Sequence, residues 1–102
     1  MLKFDWDKNK NLSNIKKHNV DFKEAETVFL DEEALIIYDP DHSESEDRYV
    51  LIGYSVKANM LVVCHCYREN EETIRIISAR KATKTEREIY GGRLNEERIR
   101  LH

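Results

Sequence analysis

The chain has 102 residues, 40% hydrophobic and 36% charged, with 17 Lys and Arg against 20 Asp and Glu for a formal charge of −3. Leu, Ile, Val and Phe supply about a quarter of it, enough for a single folded core, while the near-neutral total predicts no nucleic-acid partner from global charge alone. Two Cys, three Gly and one Pro exclude a disulfide scaffold, a collagen-like chain and a Pro/Gly-rich linker protein.

Leu2, Phe4 and Trp6 alternate with Lys3 and Asp5, a period of two that predicts a short strand over residues 2 to 6. The polar residues that follow leave no apolar run of about 7 to 15 residues for a signal peptide. No stretch reaches the roughly 18 apolar residues of a membrane span, so a cytoplasmic protein without membrane contact is expected. Asp7 is an N-cap for a helix that carries Leu12 and Ile15 and runs to about His18, with Asn19 suited to the left-handed closing position. Asp21, followed by an acid at Glu24, opens a second helix with Phe22, Ala25, Val28 and Phe29 at helical spacing up to Asp31.

The pattern then turns to strands. Ala34 to Tyr38 is a short apolar run ended by Asp39-Pro40-Asp41, and Arg48 to Ser55, Met60 to Arg68 and Thr73 to Arg80 follow across short polar turns, a meander of antiparallel strands. Thr83 with Glu86 forms a capping box for a helix through Tyr90, which Gly91-Gly92 should stop. The order predicts an α+β fold: a small antiparallel sheet of about four strands with two N-terminal helices and a C-terminal helix on one face. Residues 1 to 90 form one domain on this reading, and 91 to 102 a tail with a short mobile helix.

Charge is divided unevenly along this order. Residues 1 to 20 are +3, residues 21 to 47 are −10, and residues 48 to 102 are +4. Arg75, Arg80, Lys81, Lys84 and Arg87 stand against Glu86 alone between 73 and 87, a local excess that suits an anionic ligand as well as a solvated face. Cys64-His65-Cys66 lies inside a strand, so its two Cys share one face and His65 takes the other; core packing, not a metal centre, is expected. No metal or cofactor is predicted, and no Gly-rich phosphate loop is present.

Arg48, Arg68 and Arg80 each stand at a strand end, and Arg80 with Lys81 directly precedes the capped helix, whose N-terminal N–H groups attract anions. That corner is phosphate-sized. His18 reads either as a cation capping a helix C-terminus or as a general acid or base, its ordinary pKa near 6.5 suiting proton transfer at neutral pH.

Trp6-Asp7, Lys17-His18-Asn19-Val20-Asp21-Phe22, Glu24-Ala25, Val28-Phe29-Leu30-Asp31, Glu46-Asp47-Arg48, Gly53, Ile76 through Thr83 and Glu86-Arg87 through Tyr90 resemble, in order and spacing, the BrnT family of bacterial toxins. The resemblance covers residues 4 to 90. It implies a RelE-like fold, ribonuclease activity that stops growth, and a BrnA antitoxin with a ribbon-helix-helix domain as partner, operator DNA being contacted only through that antitoxin. Asn19 departs from the family's usual Gly, a change that a left-handed cap tolerates.

By analogy with RelE-like enzymes, cleavage of RNA without a metal needs a base for the 2′-hydroxyl, a cationic clamp for the charged phosphorane and an acid for the leaving 5′-oxygen. Arg48, Arg68 and Arg80 are the candidate clamp and His18 the candidate proton carrier, with Lys17 or Tyr67 in reserve. Lys17, Tyr67, Arg75, Lys81 and Lys84 are expected to contact the RNA. The alternative is a non-catalytic module that uses the same cations to bind nucleic acid or an acidic antitoxin segment.

Overall fold

A computed structural model describes residues 2–68 and 72–100, with side chains to residue 92. In chain order the elements are β1 (Lys3–Asp5), α1 (Lys8–His18), α2 (Phe22–Glu26), a 3-10 turn (Thr27–Leu30), β2 (Leu35–Tyr38), a 3-10 turn (Pro40–His42), β3 (Arg48–Tyr54), β4 (Met60–Tyr67), β5 (Thr73–Lys81) and α3 (Lys84–Arg100). The five strands form one sheet in the order β1-β5-β4-β3-β2. The four strands of the meander pair antiparallel, and β1 pairs parallel to β5.

Local chemistry sets the early helices. The Asp7 carboxylate accepts from the Asn9 and Lys10 amides at 2.8 and 3.1 Å, and Asn19 closes α1 at φ 56°, where an Asn side chain is tolerated. The second helix is shorter than its sequence pattern predicts, because α2 tightens into the 3-10 turn from Thr27. Glu24 does not reach back to its N-cap. Its carboxylate instead accepts from Ser55 Oγ at 2.6 Å and Asn59 Nδ2 at 2.7 Å, tying α2 to the β3–β4 turn, and these bonds outweigh partial burial to hold its pKa below the usual range.

Alternation along the strands builds two apolar layers. Val20, Phe22, Ala25 and Val28 pack on Leu51, Leu61, Val63, Ile76 and Ala79, with Phe4, Trp6, Phe29 and Ala34 around them. Ile52, Met60 and Val62, on the opposite face, pack with Val50, Ala82 and Tyr90. Three expectations are corrected. The sheet has five strands and is mixed, because β1 adds to β5. The C-terminal helix covers the face opposite α1 and α2, since the apolar residues of β3 and β4 serve both faces. It also runs through Gly91-Gly92, neither of which takes the positive φ of a stop signal. Leu101 and His102 of the expected tail lie outside the described residues.

β1 pairs only with Thr73–Arg75, leaving the rest of the β5 edge bare. Asn14 of α1 covers it: Nδ2 donates to the carbonyls of Ala79 at 2.7 Å and Val20 at 2.9 Å, and Oδ1 accepts from the Ala79 amide at 3.1 Å. This buried amide positions the C-terminal end of α1 beside Ile77 and Ser78 of β5. Among the described residues, no helix is long and apolar enough to cross a membrane.

Candidate functional site

Register decides which cations meet. Arg48 lies opposite Cys66, and Cys66 opposite Arg75, so the two arginines flank one thiol on the face away from α1 and α2. Asp5 extends the row beside Arg75. Ser78 and Cys64 form the next row, and Arg80 beside Val62 the one after. Arg68, one residue beyond Tyr67, joins this face by alternation, and its guanidinium meets the same carboxylate as Arg75: Asp5 lies 3.8 Å from Arg68 Nε and 3.4 Å from Arg75 Nη1.

Each arginine is held. Arg48 Nη2 lies 3.5 Å from Glu46, while its buried Nε has no hydrogen-bond partner among the described residues. Arg80 makes a bidentate pair with Glu86 at 2.7 Å for both bonds. The Arg80 bonds bring the Glu86 carboxyl down to about 2, and the carboxylate raises the guanidinium in turn.

That pair changes the expected phosphate corner. Glu86 Oε1 accepts the Thr83 amide at 2.8 Å and the Glu86 amide donates to Thr83 Oγ1 at 3.2 Å, so the capping box forms and its carboxylate takes the place assigned to a phosphate. Lys81 alternates with Arg80 and projects to the opposite face, in register with Leu61. Lys84, the first residue of α3, is exposed.

Tyr67 is likewise on the face that bears α1 and α2, away from the arginines. It packs edge-on to Tyr49 and His65 with ring centroids 5.6 and 5.5 Å apart, and burial raises its hydroxyl pKa. His65 is fully buried, 4.9 Å from the Phe29 ring, so Cys64-His65-Cys66 has the alternation expected of it. Burial pushes both thiols up, and neither is a ready thiolate. Among the described residues, no group of three or more His, Cys, Asp or Glu side chains is placed to hold a metal.

Lys17 and His18 do not join the arginine row. They line a cleft of about 390 Å³ at the β5 edge, with Asp7, Lys10, Ser13, Ile77 and Ser78. Ser78 is common to this cleft and to the arginine face. Ile77 is the extra residue of a bulge opposite Cys64 and His65, a feature that kinks the strand and re-aims neighbouring side chains. Three contributors escape sequence reasoning: Asp5, Ser78 and Lys10. Only Lys10 carried a signal, lying two helical turns before Lys17 on the same side of α1. Asp5 depends on the non-local β1–β5 pairing and Ser78 on the bulge, neither of which has a local pattern.

Tyr90, at the end of the recognised motifs, is a strut. Its hydroxyl donates to Asp31 Oδ2 at 2.9 Å, and burial with the adjacent carboxylate pushes its pKa up to about 12. The same oxygen accepts the Tyr54 amide at 2.8 Å.

Fold and site together define a class, a small α+β domain whose sheet face opposite α1 and α2 carries four arginines, with a His/Lys cleft at its edge. The family model for the ribonuclease toxin BrnT of type II toxin-antitoxin systems matches residues 6–86, and the chain belongs to this family. Among solved structures it is similar to the Brucella abortus ribonuclease toxin BrnT, at 26% identity and a TM-score of 0.63, over 82% of this chain and 100% of that one. Comparison with the curated proteins finds no match.

Proposed function

We propose that the chain is the toxin of a type II pair and a metal-independent endoribonuclease that arrests translation and growth in the cytoplasm. The observation that carries this reading is the in-register placement of Arg48, Arg75 and Arg80, with Arg68, on one sheet face of a member of a ribonuclease-toxin family. A phosphodiester on this face meets the Arg48, Arg68 and Arg75 guanidiniums, which stand beside Glu46 and Asp5, and Arg80 reaches it as its fork exchanges the Glu86 carboxylate for the phosphate.

In the proposed step, the 2′-oxygen attacks the adjacent phosphorus as its proton passes to a base. The P–O5′ bond breaks and the leaving oxygen takes a proton from an acid. The products are a 2′,3′-cyclic phosphate and a 5′-hydroxyl. His18, which lines the Ser78 cleft and has no side-chain hydrogen-bond partner among the described residues, is the proposed proton carrier, and Lys17 and Lys10 in the same cleft favour a bound phosphate. The partner is a BrnA-like ribbon-helix-helix antitoxin whose acidic groups cover Arg68, Arg75 and Arg80 and exclude RNA; operator DNA is reached only through it.

Arginines already paired with carboxylates also suit a non-catalytic module that only binds RNA or the antitoxin. Induced expression in a bacterial host separates the readings. Growth arrest with fragmented RNA, lifted by the co-expressed antitoxin, is expected; arrest with intact RNA favours the module.

A further inference from the structure

The sheet treats its two sides differently. At β5, the added strand β1 and the Asn14 amide cover the edge. At the other side, β2 ends the sheet with nothing paired to its outer edge among the described residues, and Ile36, Ile37 and Tyr38 are 52%, 40% and 47% exposed. The Asp39 amide donates to the Arg48 carbonyl at 2.9 Å, which makes Asp39 an inward-bonded position. The period of two in an antiparallel ladder then makes Ile37 inward-bonded and turns the N–H and C=O groups of Ile36 and Tyr38 outward. Sheet edges in monomeric proteins are blunted by very short strands, by Lys or Pro, or by a bulge. Leu35-Ile36-Ile37-Tyr38, four residues long, has no Lys, Pro or bulge.

The surroundings select the occupant. β2 lies inside the −10 segment, with Glu32 and Glu33 before it and Asp39 and Asp41 after it. The nearby basic side chains, Arg48 and His42, already contact Glu46 and Asp39. A second copy of the chain on this edge would set two acidic segments side by side, so self-pairing is opposed. A strand with basic ends is favoured.

We propose that the β2 edge docks an extended segment of the antitoxin, apolar at alternate positions and flanked by Lys or Arg, as an added strand. Naming the antitoxin as its source rests on the toxin reading above. Main-chain bonds to Ile36 and Tyr38 give affinity, and the apolar side chains of Ile36 and Ile37 on the two faces of the edge give register. This contact is separate from the arginine face, so one partner can silence the site while anchored elsewhere.

The probe is a short synthetic peptide of alternating Val and Thr with Lys at both ends, titrated onto the full chain beside a twin with Glu ends. The Lys-ended peptide should bind at least about tenfold more tightly, weaken as salt rises, and slow hydrogen exchange at the Ile36 and Tyr38 amides. Ile36→Pro removes only an outward N–H, and Ile36→Lys places a guarding charge on the edge; both should weaken the peptide about tenfold and leave RNA cleavage unchanged. The complex co-purified with its antitoxin should show the same two amides protected. Equal binding of the twins, undiminished binding by both variants, unprotected amides in the complex, or a dimer of the chain that Ile36→Pro dissolves would each overturn the proposal. A chain that binds the Lys-ended peptide at β2 but cleaves no RNA counts against the ribonuclease reading and leaves the docking edge standing.

Discussion

Arg80 and Glu86 are joined by two 2.7 Å hydrogen bonds, and the same carboxylate caps the first turn of α3 through the Thr83 amide. One residue thus fixes both the orientation of the guanidinium and the start of the helix packed on Ile52 and Val62. Arg80→Ala should lower RNA cleavage by about 10²- to 10³-fold, the usual cost of losing one preorganised transition-state donor. Arg80→Lys should fall in the same direction, because an ammonium cannot reproduce the bidentate fork. Unchanged cleavage by Arg80→Ala, measured at equal folded concentration, removes Arg80 from the site.

The same pair sets an acid limb in stability. The Glu86 carboxyl titrates at about 2 in the fold against 4.5 ordinarily, so its contribution is complete above pH 4.5 and is lost as pH falls toward 2. Part-exposure of both groups limits it to about 1 kcal/mol. Glu86→Gln should lower Tm by a few degrees at pH 7, and by less at pH 3. A Tm difference that does not shrink at pH 3 contradicts the pairing.

His65 sets a second pH dependence. Burial lowers its pKa, and its Nε2 has no partner among the described residues, so the fold holds the neutral ring while the unfolded chain accepts a proton from about pH 6.5 downward. Stability should therefore fall as pH drops below about 6.5, levelling off once the folded pKa is passed. In His65→Leu, urea midpoints between pH 7.5 and 5.5 should change less than in the unaltered chain. Equal slopes in the two proteins would contradict a neutral buried His65.

Gly53 is required by a close approach. A Cβ there would sit 2.9 Å from Ala34 Cβ and Asp31 Oδ2 and 3.0 Å from Val28 Cγ1, all held by packing or by the Tyr54 and Tyr90 bonds to Asp31. Gly53→Ala should destabilise by about 1 to 3 kcal/mol through overpacking, readable as a lower urea midpoint. A midpoint unchanged from the parent would mean that the Asp31 corner yields easily.

The elements were legible wherever the signal was local. Asp7, Asn19, Thr83 with Glu86, and the alternation of β3 to β5 each act within a few residues, and the structure keeps them. What escaped was non-local. The parallel addition of β1 to β5, the bulge at Ile77 and the placement of α3 on the second face depend on which surfaces remain uncovered after the meander forms. Strand-end position singles out Arg48, Arg68 and Arg80 in the sequence, but only alternation, counted through the bulge, separates Lys81 and Tyr67 from them. The sequence marks Glu86 as a cap and as the lone acid among the bases of 73 to 87, and neither signal reveals that it receives Arg80.

His18→Ala should reduce turnover more than binding, as the loss of a proton carrier does. Lys17 and Lys10 remain to hold phosphate in the cleft, so KM should move little. Unchanged turnover would leave His18 with only its place at the end of α1.

The central claim is metal-independent transesterification on the arginine face. Its most direct test incubates the purified full chain with RNA in EDTA and identifies the new ends, alongside the Arg80→Ala protein prepared identically. Fragments with 2′,3′-cyclic phosphate and 5′-hydroxyl ends, formed by the unaltered chain and at least about 10²-fold more slowly by the variant, are the predicted result. Cleavage that requires an added divalent metal, fragments with 5′-phosphate ends, or equal rates for the two proteins would contradict it.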